Sequence, residues 1–415
     1  MTPPEFQNVS RRVLLGTAAA VASVSVPGAA AAASGSQSGD IDAEVRLIEE
    51  ELIAFRRDLN ANPEGPGEER RTAGKVAEAL RAAGLEVRTG VGGHGVVGVL
   101  RGRHRGRTVA YRADMDAVPA QDQIGGGTAA KHLCGHDIHT TVGVGVARVL
   151  ATLRRRLHGT VVFVFQPAEE SLTGARAMLD DGVFARTRPA EIHALHCGFM
   201  PVGVFGVNPG SGMPGLDRGS VTLEGADAVE RAEALAEEVN ALGTVSAPQT
   251  GADLEQLIAD LQVEDGPLAS FVFMRASAEE GAVRFSSRCW PEDRYQEVRA
   301  DVDRLAQGYG STAVYPEDPF PAMPCPEAEA NALKRFLRRN GHEVAVIHAA
   351  LPFSGEDFGL FMDDRPGTYA YLGVQAPGAD VTTAFPHFPG FTPDEAAIGH
   401  GVRGMAAWLS ERSGC

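Results

Sequence analysis

Nine consecutive residues, Lys131-His132-Leu133-Cys134-Gly135-His136-Asp137-Ile138-His139, carry four thiol or imidazole side chains of the kind that bind borderline metal ions. Cys134 and His136 are the informative pair. A thiolate and an imidazole two residues apart reach one ion, and the glycine between them lets the turn close. Three apolar runs around this cluster end in further donors: 108–116 in Asp114 and Asp116, 161–170 in Glu169 and Glu170, and 191–196 in His196. Predicted strands that deliver ligands at their C-terminal ends describe a metal site on an open α/β sheet. Neighbouring carboxylates after a buried strand repel one another unless they meet cations or act on protons. The plainer reading of Glu169-Glu170, an exposed helix start whose dipole two acids complement, loses force beside Cys134 and His136. His193 and His196 share a strand and lie three apart, so they point to opposite faces; His196, nearer the C-terminal end, is the candidate. His94, His104, His158, His342, His348 and His400 stand alone and read as ordinary core or surface histidines. The chemistry implied is metal-assisted hydrolysis.

The surrounding pattern says what positions these groups. Val45, Ile48, Leu52, Phe55 and Leu59 recur at three- and four-residue steps, which predicts an amphipathic helix, and Pro63 to Gly67 ends it. A second helix is predicted over 72–83. Strands at 85–88, 96–100, 108–112, 160–165 and 192–195 then alternate with helices at 140–156 and 174–180. That is the pattern of a mostly parallel sheet flanked by helices. After a Gly/Pro-rich stretch at 209–216 the character changes. A strand at 220–224, a helix at 227–242, a polar segment, strands at 270–275 and 282–287 and a helix at 291–307 read as an inserted, smaller α+β domain. The fold class predicted is α/β, with the sheet-and-helix domain in two parts, 42–218 and 313–412, and the inserted domain at 219–312.

At 415 residues the chain is long enough for two domains, and 44% hydrophobic with 22% charged residues is ordinary for globular proteins. A formal charge of −16 without a basic stripe argues against nucleic acid or an anionic membrane as partner. Residues 1–33 carry Ser10-Arg11-Arg12-Val13-Leu14-Leu15, a weakly apolar stretch and an alanine run with small-residue cleavage sites. This resembles a twin-arginine signal, and it predicts a secreted or extracytoplasmic protein that is exported folded. The apolar run is too short to span a membrane. Of five cysteines, Cys134 reads as a metal thiolate; Cys197, Cys289, Cys325 and Cys415 have no legible pairing.

Six blocks occur in order: Arg112-Ala113-Asp114-Met115-Asp116-Ala117-Val118-Pro119, Cys134-Gly135-His136-Asp137, Phe165-Gln166-Pro167-Ala168-Glu169-Glu170, Ala194-Leu195-His196, Gly355-Glu356-Asp357-Phe358 and His387-Phe388-Pro389-Gly390-Phe391. They resemble the signatures of the dinuclear-metal amidohydrolases and metallopeptidases related to aminoacylase and carboxypeptidase G, in particular the hydrolases of N-acyl, hippurate and indole-acetyl amino acids. The resemblance covers about residues 42–412. It implies that Cys134 bridges two divalent ions, with His136, Glu170, His196 and His387 completing the ligand set. Glu169 would be the general base for metal-activated water, with Asp114 and Asp116 supporting the ligands from behind. Zn2+ or Mn2+ suits that donor set, and Co2+ is also compatible. The resemblance makes the two-part domain catalytic and the inserted α+β domain its lid; the implied substrate is a small N-acyl amino acid or dipeptide-like amide, and the implied assembly is a homodimer through the lid.

The lid departs from the family. Members carry a Gly-Gly-His-Gly segment after the first lid strand, whereas here Ser220-Val221-Thr222-Leu223-Glu224-Gly225 runs directly into Ala226-Asp227-Ala228. No histidine occurs between His196 and His342, and Asn60-Ala61-Asn62-Pro63 stands where a His-x-His-Pro motif is usual. Losing one oxyanion donor typically costs about 10²–10³ in rate. Arg275, Arg284 or Arg288 could fill the role. The alternative reading is a catalytically weakened relative that binds without turnover. A cysteine-nucleophile hydrolase built on Cys134 and His136 is the remote third.

Overall fold

The computed structural model describes residues 30–414, with side chains from residue 39 onward. The twin-arginine motif and the apolar stretch after it thus lie outside the described residues. The chain opens with α1 (Ala30–Asn60) and α2 (Arg70–Ala82), followed by β1 (Glu86–Val91), β2 (Gly95–Arg101) and β3 (His104–Asp114). Next come α3 (His136–Thr152), β4 (His158–Gln166), α4 (Gly174–Asp180), β5 (Glu191–Pro201) and β6 (Phe205–Val207). The middle region holds β7 (Gly212–Met213), β8 (Asp217–Thr222), α5 (Ala228–Asn240), α6 (Gly251–Leu261), β9 (Phe271–Glu279), β10 (Ala282–Trp290), α7 (Tyr295–Gly308), β11 (Ala313–Val314) and β12 (Met323–Pro324). The chain closes with α8 (Glu327–Arg339), β13 (Val344–Val346), α9 (Gly359–Met362), β14 (Gly367–Gln375) and α10 (Ala396–Gly414).

Eight strands form one sheet in the order β1-β2-β4-β3-β5-β14-β6-β13. Its centre is parallel: β3 pairs with β4 and β5, and β5 with β14, all in the same direction. Such strands are covered on both faces and so read as nearly continuous apolar runs, as in Val161 to Phe165 of β4. On one face, α1, α3 and α10 pack together around Leu52, Val142, Val146, Val402 and Met405. On the other lie α4, α6 and α9, around Met178, Leu254 and Phe361. The connection after β3 runs to β4 on one side, and β5 then returns to the other side of β3. The ends of β3, β4 and β5 therefore open at a point where the winding reverses, the place where such sheets hold ligands.

The smaller sheet, β11-β8-β10-β9, is antiparallel throughout. It buries one face under α5 and α7, with Val221, Leu235, Val283, Phe285 and Val302 in that core. Two short strands, β7 and β12, pair where the chain passes between the two sheets, Met213 opposite Met323.

Three differences from expectation bear most on the architecture. β5 does not stop before His196 but runs on to Pro201, because β14 accompanies it from Ile192 opposite Gly367 to Pro201 opposite Gln375. α3 starts at His136, not near residue 140, because Gly135 takes a left-handed conformation (φ 90°) that starts the helix abruptly. The stretch after 242, read as polar, contains α6. Its start is fixed by a reciprocal Thr250–Asp253 cap, and Leu254, Leu257 and Leu261 pack into the large domain's core, not the lid's.

Candidate active site

The site lies in a cavity of about 1070 Å³ between the C-terminal ends of the central strands and the open face of the lid sheet. Each donor arrives on a different element. Cys134 precedes α3 and His136 is its first residue; a β-carbon at Gly135 would sit 2.5 Å from Cys197 Sγ, so only glycine fits between them. Glu169 and Glu170 follow β4, and His196 sits within β5. His387 comes from the loop after β14 with a left-handed backbone (φ 66°), and its amide donates to Leu133 O at 2.7 Å. Cys134, Glu170 and His387 bring one donor atom each within 4.8 Å of one another, and so do His136, Glu169 and Glu170. Cys134 Sγ is 3.4 Å from His196 Nε2, and His387 Nε2 is 3.4 Å from Glu170 Oε2. Cys134, Glu170, His196 and His387 thus line one cavity with Glu169, and His136, fully buried, lies against Glu169 and Glu170 behind its wall.

Hydrogen bonds fix which atoms are free. His196 Nδ1–H donates to Cys197 O at 2.8 Å, and His387 Nδ1–H donates to Asp122 O at 3.3 Å, which leaves each Nε2 with a lone pair toward the cluster. His136 Nδ1 faces Asp116 Oδ1 at 3.3 Å, while Asp116 Oδ2 accepts the Glu170 amide at 2.9 Å. His136 Nε2 is buried without a hydrogen-bond partner, 3.7 Å from the equally unpartnered Glu170 Oε1. Orphaned buried atoms of this kind, among thiol, imidazole and carboxylate donors, are what a divalent cation satisfies.

His139 was not singled out, and it explains Asp114. Its Nδ1–H donates to Asp114 Oδ1 at 2.6 Å and its Nε2 accepts the Cys197 amide at 2.6 Å, so both ring nitrogens are engaged. Asp114 Oδ2 accepts from Arg112 Nη1 at 2.6 Å. Asp114 and His139, although close to His136 and His196, therefore have their side-chain donors and acceptors already engaged. Arg112 is 2% exposed and reaches Gln166 at 2.8 Å and Glu356 at 2.9 Å, with Asp357 at 3.4 Å. Glu356 also accepts the Tyr369 hydroxyl at 2.9 Å. The sequence blocks contain these residues, but nothing in their spacing shows that one arginine ties together strands and loops more than 240 positions apart.

Charge is concentrated here. Burial, then Glu356, Glu170 and Asp357, push the Glu169 carboxyl well above its ordinary range, with Arg112 opposing. Burial, then Glu170, Glu169 and Asp114, push the Cys134 thiol up. Burial lowers His136, but Asp114, Asp116 and Glu170 outweigh it and lift the ring to about 10. A cluster that holds protons this strongly is short of positive charge, and cations supply it.

The remaining candidates divide between the cavity and its surroundings. His193 points away from the cavity, its Nδ1 2.9 Å from Thr368 Oγ1 and its ring against Trp408. Arg275 and Arg288 line the cavity, joined by Arg218, which sequence reasoning missed; Arg284 does not line it, its side chain 77% exposed and 4.0 Å from Glu279. Asn60, where the family motif has histidine, donates to Asp137 Oδ2 at 2.9 Å. Cys134, Cys197, Cys289 and Cys325 are buried and free.

The sequence profile of Peptidase family M20/M25/M40 matches residues 110–411. The chain belongs to that family. It is 30% identical over 370 residues to an N-acetylcysteine deacetylase of Bacillus subtilis, covering 84% of this chain and 93% of that one. An N-acetyldiaminopimelate deacetylase of Enterococcus faecalis is 27% identical over 87% of this chain and 97% of its own length. Among solved structures, a dinuclear metal-binding peptidase of the M20 family from Bacillus subtilis superposes with a TM-score of 0.65 at 28% identity, covering 88% of this chain and 98% of that one. This M20-family chain is a metal-dependent amide hydrolase, and its donor cluster is of the size that holds two divalent ions.

Proposed function

We propose that this M20 enzyme cleaves the amide bond of an N-acyl amino acid or small dipeptide-like substrate. Cys134, His136, Glu170, His196 and His387 would hold two divalent cations, with Zn2+ favoured by the thiol and imidazoles and Mn2+ compatible with the carboxylate share. Bound there, the ions supply Lewis acidity and a water nucleophilic at neutral pH. The chain's own residues do the rest. Glu169, buried beside the cluster and strongly basic for a carboxylate, takes the water's proton and passes it to the departing nitrogen. Asp116 and His139 hold the ligands in register, and Arg112 prevents the carboxylates behind Glu169 from forcing one another apart.

The observation that carries this reading is the convergence of unpartnered, buried donor atoms on the same cavity as Glu169. Names of similar proteins as deacetylases of N-acetyl amino acids support the substrate class. The reading includes export by the twin-arginine segment, which rests on the sequence motif alone. It also includes pairing of two copies through the lid, where β9 leaves an unpaired edge among the described residues.

The test is turnover of N-acetyl and N-benzoyl amino acids by Zn2+- or Mn2+-loaded protein beside Glu169→Gln. Glu169→Gln is expected to lose about 10²–10⁴ in kcat while retaining two metals per chain. Equal turnover by the two proteins overturns the assignment. A missing lid histidine favours a second reading, a binder without turnover, which predicts ligand affinity and no hydrolysis by either protein.

A further inference from the structure

From β8 through α7, residues 217–308, the chain contains eight arginines, and they divide into two groups. Arg231, Arg284, Arg294, Arg299 and Arg304 each have an acidic partner, Asp227, Glu279, Glu297, Asp217 and Asp301 respectively. Arg218, Arg275 and Arg288 have none within ion-pair distance among the described residues, and these are the three that line the catalytic cavity. Their register explains the grouping. Arg218 of β8 and Arg275 of β9 both stand opposite Ser286 of β10, one on each side, so they share a row and a face. Arg288 is two residues from Ser286 on the same strand and so projects from that face too. Arg275 lies over the Phe273 ring at 5.0 Å. Arg288 is packed against Gly355, beside the Glu356–Asp357 pair, and its one hydrogen bond is to Gly215 O at 3.4 Å. Burial, and then the charges of Arg218 and Arg275, lower Arg288 to about 10 against the pull of Glu169. In a chain of net charge −16, three mutually repelling guanidiniums with no carboxylate within ion-pair distance among the described residues leave this wall of the cavity short of anions.

Resting on the amide-hydrolase reading, we propose that Arg218, Arg275 and Arg288 form a receptor for a doubly anionic leaving group, an amino acid with a side-chain carboxylate besides its α-carboxylate, of the aspartate or glutamate class. One carboxylate matches one guanidinium fork, so a single carboxylate leaves this row mostly unneutralised, whereas two carboxylates a few bonds apart engage it across the strands. The row lines the same cavity as Glu169, the group that would protonate the departing nitrogen.

The experiment compares kcat/KM of the metal-loaded full chain on N-acetyl-L-glutamate, its isostere N-acetyl-L-glutamine, and N-succinyl-L-glutamine, in the native protein, Arg218→Gln, Arg275→Gln and the double variant. Arg284→Gln, on the same face but outside the cavity, is the control. The expected result is a preference for glutamate over glutamine of at least about 100-fold. Each single variant should shrink that ratio at least about tenfold, mainly through KM, and Arg284→Gln should leave it in place. Equal cleavage of glutamate and glutamine, or a preference that survives in the double variant, overturns the receptor. Better cleavage of N-succinyl-L-glutamine overturns the placement of the second carboxylate on the leaving group. If nothing is turned over, the hydrolase reading fails separately. The receptor is then read by calorimetric binding of N-acetyl-L-glutamate and N-acetyl-L-glutamine to metal-loaded Glu169→Gln: at least about tenfold tighter glutamate binding supports it, and equal binding overturns it.

Discussion

Arg112 shows what a single residue holds together here. Its guanidinium pairs with Asp114, Glu356 and Asp357 at once, and burial with the repulsion of Glu356 already lifts Asp357 to about 7 against the pull of Arg112. Arg112→Met should therefore destabilise the fold by about 3–5 kcal/mol, because the carboxylates stay buried without their counter-charge. Urea unfolding of the two proteins measures this, and a change under about 1 kcal/mol contradicts the role. A second consequence concerns protons. His136 is held protonated up to about 10 by acids that outweigh its burial, and Cys134 is held as a thiol, so metal must displace protons from both. Apparent metal affinity should rise with pH across 6–9, with proton release visible as a buffer-dependent calorimetric enthalpy. A pH-independent affinity contradicts it. Much of this chemistry is legible in the sequence, because Cys134-Gly135-His136 and Glu169-Glu170 are local patterns. His139 and Arg218 are not, since the first is defined by an amide that arrives from β5 and the second by its register against β10.

Between elements, the turn after β4 is the strained joint of the site. Ala168 has φ 54°, a left-handed conformation unfavourable for a side chain, immediately before Glu169. Glu69, fully buried at the start of α2, clamps it. Its Oε1 accepts the amides of Ala168 and Gly67, each at 2.8 Å, and burial lifts its carboxyl to about 7. Glu69→Gln keeps the shape but weakens the acceptor. It should lower kcat about tenfold or more by loosening Glu169 while leaving metal stoichiometry unchanged. Loss of metal without loss of kcat per loaded site would contradict that role. Such a clamp joins residues 99 positions apart and leaves no periodic trace. What periodicity does reveal is the frame. The apolar runs of β3, β4 and β5 and the three- and four-residue spacing of α1 and α2 are local consequences of which face is buried. The boundaries that reading misplaced, the start of α3 and the end of β5, were set by a left-handed glycine and by a partner strand 175 positions away.

At the scale of the whole molecule, the sheet closes only when the last part of the chain returns, and a buried histidine marks the seam. His193 on β5 sits between Thr368 of β14 and Trp408 of α10, with Glu191 on its own strand 3.5 Å away. Glu191 is already shared by Arg107 and Arg412. Burial, reinforced by those two arginines, lowers His193 to about 3. The ring is thus neutral in the fold, whereas an unfolded chain protonates it below about 6.5. Above that pH neither state takes the proton and stability is unaffected. As pH falls from about 6.5 toward 3, only the unfolded state gains it, so stability is lost progressively over that window. The loss is on the order of 4–5 kcal/mol if fully developed. Glu69 and Asp357, raised to about 7, act in the opposite sense, since the fold binds their protons where the unfolded chain does not. A single pH–stability curve therefore mixes the two. The difference between the native protein and His193→Gln isolates the histidine. Their unfolding free energies, compared by urea titration from pH 7 to pH 4, should converge as the pH falls, because only the native protein has this histidine to lose. Parallel curves would mean that the seam between β5, β14 and α10 is not held by a neutral imidazole.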